Sequence, residues 1–332
     1  MSFSYCTLFN INYIDKGIAL YNSIRRYNEY SILYILCLDM KTENILNSLG
    51  MKKVILIKLS DIEKYYPHLI ELKENRSFAE YCWTLTPHLI EYIFKKYNEL
   101  YNTYLDSDIY FYSNPDVPNV EMLRAGCHTL ITKHGFPNDV KGKMSEKLYG
   151  TYCVQYNTFS NEKESLDLLE IWKNNVIRDC EYNKREGKIG DQKYLEEFPR
   201  LSKSVYIAKI GVGIAPWNIK EFSSAIHNKE CFIVSNEGEI YQMIFYHFQN
   251  LKYLSKNVVN IGVGKANRKL KRMIYIPYLY EINDIRGKLY DRYKIKIQSR
   301  SVSRKNWVAF IQKYLMKYKI VDWCLSDIIS IK

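Results

Sequence analysis

Strand-like runs alternate with helix-like segments through the first hundred residues, and this alternation restricts the fold more than any other feature of the sequence. The predicted strands are Ser4 to Phe9, Ser31 to Leu38, Lys53 to Leu59 and the run from Tyr101 into Asp106. Strands that alternate with helices favour an α/β fold, with a mostly parallel sheet flanked by helices. Ligands of such sheets bind beyond the carboxyl ends of the strands, so functional residues are expected just after these runs.

Helix-forming patterns fill the spaces between the strands. Asp15 is predicted to cap a helix that runs to about Tyr27, and Pro87 to kink or divide a long helix from Ser77 to Tyr97. Further helices are predicted at Thr42 to Leu49, from Asp61, at Lys163 to Arg178 and, as a short one, after Asp191. Later strands are predicted at 127–132, 151–159, 204–210, 232–234 and 243–248, with 135–147 as a polar loop.

The C-terminal part of the chain is strongly basic. Between Gly264 and Ile320 there are sixteen Lys or Arg residues and three acids, whereas the rest of the chain is close to neutral. We therefore predict two parts, a domain over 1–260 and a basic extension over 261–332 that contains helices at 264–273, 278–294 and 304–320. Basic residues interleaved with aromatic ones suit contact with an anionic membrane. A solvated basic surface and a nucleic-acid-binding surface are the alternatives.

The last of the four early strands is followed by Asp106-Ser107-Asp108. Alternation along a strand would place the carboxylates of Asp106 and Asp108 on one face, where both can meet one cation. Hard oxygen ligands with open coordination positions suit Mg²⁺ or Mn²⁺ carrying a diphosphate. The alternative is that both acids are ordinary turn residues, because turns favour Asp.

Cysteine usage and the absence of export signals indicate a reduced, cytoplasmic protein. The eight cysteines form no C-x-x-C pair and no cluster, and Cys6, Cys37 and Cys82 lie inside apolar runs. This spacing excludes a zinc site of the usual kind and favours free thiols over a disulfide scaffold. The N-terminus lacks the pattern of a signal peptide, and no uncharged run is long enough to cross a bilayer. We expect action in the cytoplasm, peripherally at the inner face of the membrane.

The order of several motifs resembles one family. The chain is similar to bacterial GT-A-fold glycosyltransferases, which are nucleotide-diphospho-sugar transferases, and distantly similar to glycosyltransferase family 8. The similarity covers about residues 5 to 250 and is carried by YCTLFNINYIDKGIALYNSI, NRSFAEYCWTLTPHLIEYIF, YLDSDIYFYSNP, GDQKYLEEFP, APWNI and FYHF. It implies a GT-A domain that moves a sugar, with retention of configuration, from a nucleotide-diphosphate donor (most simply a UDP-sugar) to a surface glycan or lipid-linked acceptor. Mn²⁺ or Mg²⁺ is the implied cofactor.

The resemblance assigns roles to polar residues near the donor. Asp106, Asp108 and His247 match its metal ligands, while His247 taken alone is equally a buried core histidine. Arg76 and Ser77 fall where donor-binding groups lie, and a guanidinium is chemically suited to a diphosphate. The strand ends also offer polar groups for nucleoside recognition, namely Thr7, Asn10 and Asp39.

Asp191 and Gln192 match the pair that lies beside the anomeric carbon in family 8. Asp191 would orient the donor sugar, act as a base or stabilise an oxocarbenium-like centre; capping of the helix that follows is the alternative. Trp217 would stack on a sugar face or belong to the core.

Two positions depart from the family pattern. Gln155 stands where similar sequences carry a small glycine, and Asn250 stands where a glycine often follows the histidine motif. A sugar nucleotidyltransferase is a further alternative, but Asn10 to Gly17 lacks the glycine-rich loop of that class. A protein that keeps the fold without catalysis, and binds nucleic acid or anionic membrane through its basic C-terminus, is the main alternative function.

Overall fold

The computed structural model of the chain describes residues 3–183, 187–227, 230–255, 258–262, 267–297 and 328–330. The strands are, in chain order, β1 (Ser4–Phe9), β2 (Leu33–Cys37), β3 (Val54–Lys58), β4 (Tyr101–Leu105), β5 (Ile109–Phe111), β6 (Thr129–Lys133), β7 (Tyr152–Ser160), β8 (Tyr182–Asn183), β9 (Lys188–Ile189), β10 (Val205–Ile207), β11 (Val212–Ile214), β12 (Phe222–His227), β13 (Cys231–Ser235), β14 (Ile240–Gln242), β15 (Phe245–His247), β16 (Lys252–Ser255), β17 (Val258–Asn260) and β18 (Ile328–Ser330).

The α-helices are α1 (Ile14–Arg25), α2 (Met40–Leu49), α3 (Leu59–Tyr65), α4 (His68–Asn75), α5 (Phe78–Tyr97), α6 (Val117–Arg124), α7 (Val140–Tyr149), α8 (Lys163–Arg178), α9 (Phe198–Leu201) and α10 (Arg268–Tyr293). Short 3-10 helices lie at Ile11–Tyr13, Gln192–Glu197 and Ile219–Glu221. Among the described residues, no helix combines the length and the apolar composition that a membrane crossing requires.

A seven-stranded sheet forms the centre, in the order β10-β6-β7-β4-β1-β2-β3. Strand β7 is antiparallel to both of its neighbours, β4 and β6, and the other neighbouring pairs are parallel. The predicted α/β class with a mostly parallel sheet is therefore confirmed. All strands of this sheet except β7 point the same way, so their carboxyl ends meet at one edge.

Alternation along the central strands separates two apolar cores. In β1, Tyr5 and Phe9 face a core shared with α1 and α10, while Cys6 and Leu8 face a core shared with α5 and α8. Neighbouring β2 repeats the pattern because Tyr5 is paired with Leu33 in register. Burying both faces in this way explains why the early strands read as nearly continuous apolar runs.

A small second sheet, in the order β11-β15-β5, extends the carboxyl edge of β4. Strand β15 runs antiparallel to β5 and places His247 opposite Ile109. Helix α10 supports β15 through aromatic contacts: the Phe248 and Tyr278 rings stack at 3.7 Å between centroids, and the hydroxyls of Tyr246 and Tyr275 lie 2.7 Å apart.

Several local predictions were wrong. Asp15 does not cap α1, which begins at Ile14, and its carboxylate instead meets Arg286 from α10. Residues 140–149, predicted within a loop, form α7, because the Asp139 side chain caps the helix through the Gly142 N–H at 2.7 Å.

The long helix α5 runs unbroken through Pro87, so the predicted division of this helix is wrong. The helices predicted at 264–273 and 278–294 are one helix, α10, with Pro277 inside it. The third predicted helix, at 304–320, lies outside the described residues.

Candidate active site

The two acids lie in a tight turn between β4 and β5. The Asp106 N–H donates to the Gln155 carbonyl on β7 at 3.1 Å, and the Asp108 carbonyl accepts from the Phe248 N–H at 2.8 Å. Strand β4 ends at Leu105, so the acids follow the strand and do not alternate along it as predicted. The turn nevertheless holds both acids at the carboxyl edge of the sheet, where the sequence placed them.

His247 reaches the same place from β15. Its Nε2 atom lies 3.1 Å from Asp108 Oδ1 and 3.7 Å from Asp106 Oδ2. The imidazole is 5% exposed, whereas the Asp106 side chain is 31% exposed and is therefore open to the cavity in front of it. The fold thus brings together the three side chains that the resemblance assigned to a metal.

Gln155, the residue that departs from the family pattern, contacts the other side of His247. Its Oε1 atom lies 3.0 Å from His247 Nδ1, and its amide nitrogen faces the Lys133 carbonyl at 3.5 Å. This orientation makes Nδ1 a donor. Nε2 donates to Asp108 when the ring carries its second proton, and it is the nitrogen left with a lone pair when the ring is neutral. Gln155 thereby selects the tautomer that a metal ligand needs.

A lysine that the sequence analysis did not identify completes the cluster. The ammonium of Lys16, on the first turn of α1, lies 3.2 Å from Asp108 Oδ2. Each oxygen of Asp108 therefore faces a cationic or proton-donating group, His247 on one side and Lys16 on the other.

These contacts shift the pKa values of the two acids in opposite directions. Burial raises the pKa of Asp106 to about 6, with His247 opposing the shift. Burial also acts on Asp108, but Lys16 and His247 outweigh it and hold the pKa of Asp108 below its usual range. For His247, burial lowers the pKa and Asp108 outweighs burial, so the net shift is upward.

Asp106, Asp108 and His247 carry the types of donor atom that a divalent cation such as Mn²⁺ binds. Among the described residues, no three His, Cys, Asp or Glu side chains are positioned, as they stand, to hold a metal ion. Two carboxylates and an imidazole oriented by a hydrogen bond are nevertheless a suitable ligand set for Mn²⁺ or Mg²⁺. As the side chains stand, Asp108 is paired with Lys16 and His247.

The acids line a cavity of about 340 Å³. Its other walls come from the end of β1 and the start of α5, including Asn10, Tyr13, Phe78 and Trp83. Aromatic rings beside a few convergent polar groups are the usual lining of a site for a nucleotide-sized ligand. Larger cavities lie elsewhere, such as one of about 570 Å³ beside Arg26 and Arg272, but its lining carries no carboxylate.

Asp191 lies behind this cavity as a buried carboxyl group. It is 4% exposed, and its Oδ2 atom has no hydrogen-bond partner among the described residues. Burial, together with the charge of Asp106, raises the pKa of Asp191 well above its usual range. Gly190 has a φ of +59°, and a Cβ there would lie 2.5 Å from the Trp83 ring, so this glycine lets Asp191 lie close to the cavity wall.

Two further predicted residues lie around the acid cluster. The Trp217 ring contacts His247 edge to face, with centroids 5.5 Å apart, and its N–H donates to the His134 carbonyl at 2.6 Å. Gln192 donates to the Tyr149 carbonyl at 2.8 Å, which ties the Asp191 segment to the end of α7.

Besides Trp217, four more residues predicted to bind the donor do not line the cavity. Ser77 caps α5 in a capping box with Glu80, and Asp39 caps α2 through the Thr42 N–H at 2.7 Å while also accepting from the Ile11 N–H at 2.8 Å. Arg76 donates to the Thr84 hydroxyl and to the Ile177 carbonyl, and Thr7 is fully buried in β1. These placements give no support to a donor-binding role.

Sequence reasoning missed Lys16, Gln155 and Trp83. No sequence signal marks Lys16, because its partner Asp108 is distant in the chain. Gln155 was visible only as a departure from a pattern. Trp83 lies in the helical segment that the resemblance had already singled out, and its aromatic character was the available signal.

Known proteins offer two sequence relatives and several distant structural likenesses. No protein-family model matches the chain. Solved structures that resemble it include mouse xyloside xylosyltransferase 1 (TM-score 0.46, 11% identity, 65% of this chain and 88% of that one) and the galactosyltransferase LgtC (0.40, 12%, 64% and 76%). A glycosyltransferase involved in glycosylation of the major capsid of PBCV-1 also resembles it (0.42, 12%, 75% and 94%). All three likenesses are distant.

The mixed sheet, with an acid turn at its carboxyl edge, defines an α/β protein. The chain belongs to the same family as YfnF of Bacillus subtilis (strain 168), an uncharacterised protein to which it is 31% identical over 265 residues, covering 78% of this chain and 85% of YfnF. It is also 26% identical over 291 residues to YfnD of the same organism, itself uncharacterised, covering 85% of this chain and 89% of YfnD.

Proposed function

We propose that this protein is a metal-dependent glycosyltransferase that uses a nucleotide-diphosphate sugar, with a UDP-sugar as the first candidate. The observation that carries the proposal is the meeting of Asp106, Asp108 and His247 at the mouth of an aromatic cavity. The acids come from the turn between β4 and β5, and the histidine comes from β15, so the fold joins two segments that are distant in the chain. Neighbouring carboxylates whose pKa values are shifted in opposite directions are typical of a functional site.

Asp106, Asp108 and the Nε2 atom of His247 would hold Mn²⁺ or Mg²⁺. A bound divalent cation neutralises the charge that develops on the leaving diphosphate. By accepting the proton of Nδ1, Gln155 leaves Nε2 as the nitrogen that would lose its proton and bind the metal. Asp106, the more exposed of the two acids, reaches the cavity directly.

Asp191 would act on the donor sugar. Its carboxyl group is buried, its Oδ2 atom has no hydrogen-bond partner in the described part of the chain, and burial raises its pKa, which favours the protonated form that can donate to sugar hydroxyls. Burial near Asp106 also suits it to stabilise positive charge at the anomeric carbon once it ionises. Retention of anomeric configuration belongs to this proposal.

The aromatic side of the cavity would receive the nucleoside. Tyr13, Phe78 and Trp83 offer faces for stacking, and Asn10 offers an amide on the same wall. The Asn10 Oδ1 atom accepts from the Asn12 N–H at 3.1 Å, which leaves the amide protons of Asn10 to donate to a base or ribose.

The acceptor would be a surface glycan or a lipid-linked saccharide, reached at an anionic membrane surface. On α10, exposed basic residues alternate with exposed aromatic ones: Tyr280 is 54% and Tyr290 is 43% exposed, and Arg272, Lys288 and Arg292 lie on the exposed surface of the same helix. Such a mixture favours peripheral membrane contact over nucleic-acid binding, for which no motif is present. Flotation with phosphatidylglycerol liposomes, compared with neutral liposomes, tests this part separately.

Donor binding and hydrolysis test the central proposal. Purified protein is screened against UDP-, GDP-, CMP- and dTDP-sugars with Mn²⁺ or with EDTA. Asp108→Ala is the test variant, and Asp167→Ala, which removes a carboxylate that is 59% exposed on α8, is the matched control. We expect turnover of one donor that requires metal, is lost in Asp108→Ala and is kept in the control. Absence of nucleotide binding with every metal would contradict the proposal.

A further inference from the structure

The position of Lys16 has a consequence for the way the proposed metal site is filled. Its ammonium lies 3.2 Å from Asp108 Oδ2, and both side chains are 13% exposed. The same ammonium lies 4.2 Å from the centre of the Tyr13 ring, a second wall of the cavity. Lys16 therefore places a positive charge beside a carboxylate that the proposed function gives to a divalent cation.

The fold holds this charge in place. Helix α1 packs closely on β1 because Gly17 has no Cβ, which would otherwise lie 2.3 Å from the Phe9 ring. The preceding residue, Asp15, is anchored to Arg286 on α10 at 2.6 Å. With the start of α1 fixed on two sides, the Lys16 side chain is directed at the acid turn.

Two cations cannot share one carboxylate oxygen without strong repulsion. Asp108 Oδ1 faces His247 at 3.1 Å, so Oδ2, the oxygen that Lys16 contacts, is the remaining coordination atom of this residue. A metal that binds through both Asp108 and His247 has to displace the hydrogen bond between them, and it gains little while the ammonium neutralises the carboxylate.

We propose that Lys16 is an internal counter-cation, which occupies Asp108 when no divalent metal is bound and competes with the metal for this carboxylate. The inference rests on the proposed metal site and deepens it. The enzyme would hold its acid turn closed by an ion pair and would open the turn only when the divalent cation is sufficiently concentrated.

A purely structural ion pair predicts the opposite result when Lys16 is removed. If Lys16 only held Asp108 in position, its loss would let the carboxylate move and would weaken metal binding. If Lys16 competes with the metal, its loss strengthens metal binding because two carboxylates are left with less positive charge around them. The sign of the change therefore separates the two roles.

The experiment measures Mn²⁺ binding to the full chain without nucleotide, from the loss of the free Mn²⁺ signal in electron paramagnetic resonance. The variants are Lys16→Met, Lys16→Gln and Lys16→Arg, with Asp108→Asn to identify binding at this site. We expect Lys16→Met and Lys16→Gln to bind Mn²⁺ at least about tenfold more tightly than the natural protein. Lys16→Arg, which keeps the charge, should remain within about threefold of it.

The outcomes distinguish this inference from the function on which it rests. Equal or weaker Mn²⁺ binding by the neutral variants, with binding by the natural protein that Asp108→Asn removes, overturns the counter-cation and leaves the metal site standing. Absence of site-specific binding in every protein overturns both. Binding by the neutral variants alone supports the inference in its strongest form. Circular dichroism monitors folding, and Lys16→Gln keeps a polar group beside Asp108 if Lys16→Met fails to fold.

Discussion

Helix α1 contacts two groups of carboxylates, and the protein surrounds them in contrasting ways. Where α1 meets α10, Asp15 accepts from Arg286 at 2.6 Å and from the Lys16 N–H at 2.9 Å, and Glu281 accepts from Asn22, Arg26 and Tyr110. We call this group the α1–α10 seam.

At the acid turn the polar atoms are less completely satisfied. The Asp106 side chain is 31% exposed and 3.7 Å from the nearest imidazole nitrogen, and Asp191 Oδ2 has no hydrogen-bond partner among the described residues. In the seam, both oxygens of each acid are engaged within the protein, and the carboxylates serve packing. At the acid turn, Asp108 is also paired through both oxygens, whereas the Asp106 carboxylate is left open to the cavity and to a ligand there. Counting acids would not separate the two groups, whereas following each oxygen to its partner does.

The largest effect is expected from a substitution at the acid turn. Asp108→Asn should lower donor turnover by at least about 1,000-fold, roughly 4 kcal/mol of transition-state stabilisation, because a metal ligand is lost. Steady-state kinetics with Mn²⁺ measures the loss. The matched control is Asp15→Asn, which removes one negative charge from the seam. Its turnover per folded molecule should stay within about tenfold of that of the natural protein. Similar losses in both variants would show that the two groups do not differ as described.

The second prediction concerns stability and the seam. Arg286→Met leaves Asp15 buried without its partner, and breaking such a pair from one side costs about 3–5 kcal/mol of unfolding free energy. Urea unfolding measures it. Lys288→Met removes a lysine of the same helix that is 76% exposed and pairs with Asp284, and should change stability by less than about 1 kcal/mol. Equal stability of the two variants would refute the structural role of the seam.

The third prediction isolates the hydrogen bond behind His247. Gln155→Leu removes the acceptor of the Nδ1 proton, so the imidazole loses its fixed tautomer and Mn²⁺ affinity should fall about 10- to 100-fold. Titration with Mn²⁺ measures the affinity. Gln155→Glu keeps an acceptor at that position and should retain most of the binding. If Gln155→Leu binds metal normally, the orientation of His247 comes from packing alone.

The smallest effect concerns the pH dependence of stability, which depends on the buried histidines His88 and His134. Burial lowers the pKa of His88 to about 3 and that of His134 to about 4. Below about pH 6.5 these histidines become protonated in the unfolded chain but stay neutral in the native state. Their contribution to the free energy of unfolding is therefore fully present above that pH and is lost as the pH drops. Between pH 6.5 and 5 we expect each of the two histidines to account for a loss of about 1.5 kcal/mol. His88→Gln should reduce this loss, and an unchanged pH dependence would count against it.

The sequence predicted the frame of the molecule well, because the frame depends on local patterns. Helix α8 was predicted with the bounds that the structure has. The early strands were predicted to within a few residues, since β1 and β2 bury both faces and all three read as apolar runs. Helix α7 was missed because it offers little apolar periodicity: Val140 and Met144 are exposed, and Gly142 is its buried residue.

The sequence predicted a site residue correctly only where the residue type and its motif indicate the chemistry. Asp106, Asp108 and His247 were found through the resemblance, but Lys16 reaches Asp108 only through the folding of α1 over β1. The opposite error arose at Ser77, whose hydroxyl the sequence assigned to the donor although Glu80, three residues later, signals a capping box. A polar residue at a strand or helix end has several uses, and only its contacts decide among them.

The order in which the site residues occur along the chain also bears on how the protein is made. Lys16, Asp106 and Asp108 leave the ribosome well before Gln155, and His247 follows only after another ninety or so residues, with α10, which packs against its strand, later still. A nascent chain that ends before β15 has the acids but lacks the imidazole. At the proposed site, metal binding would therefore begin only after β15 has been synthesised, and bound Mn²⁺ would report that β15 has joined the acid turn.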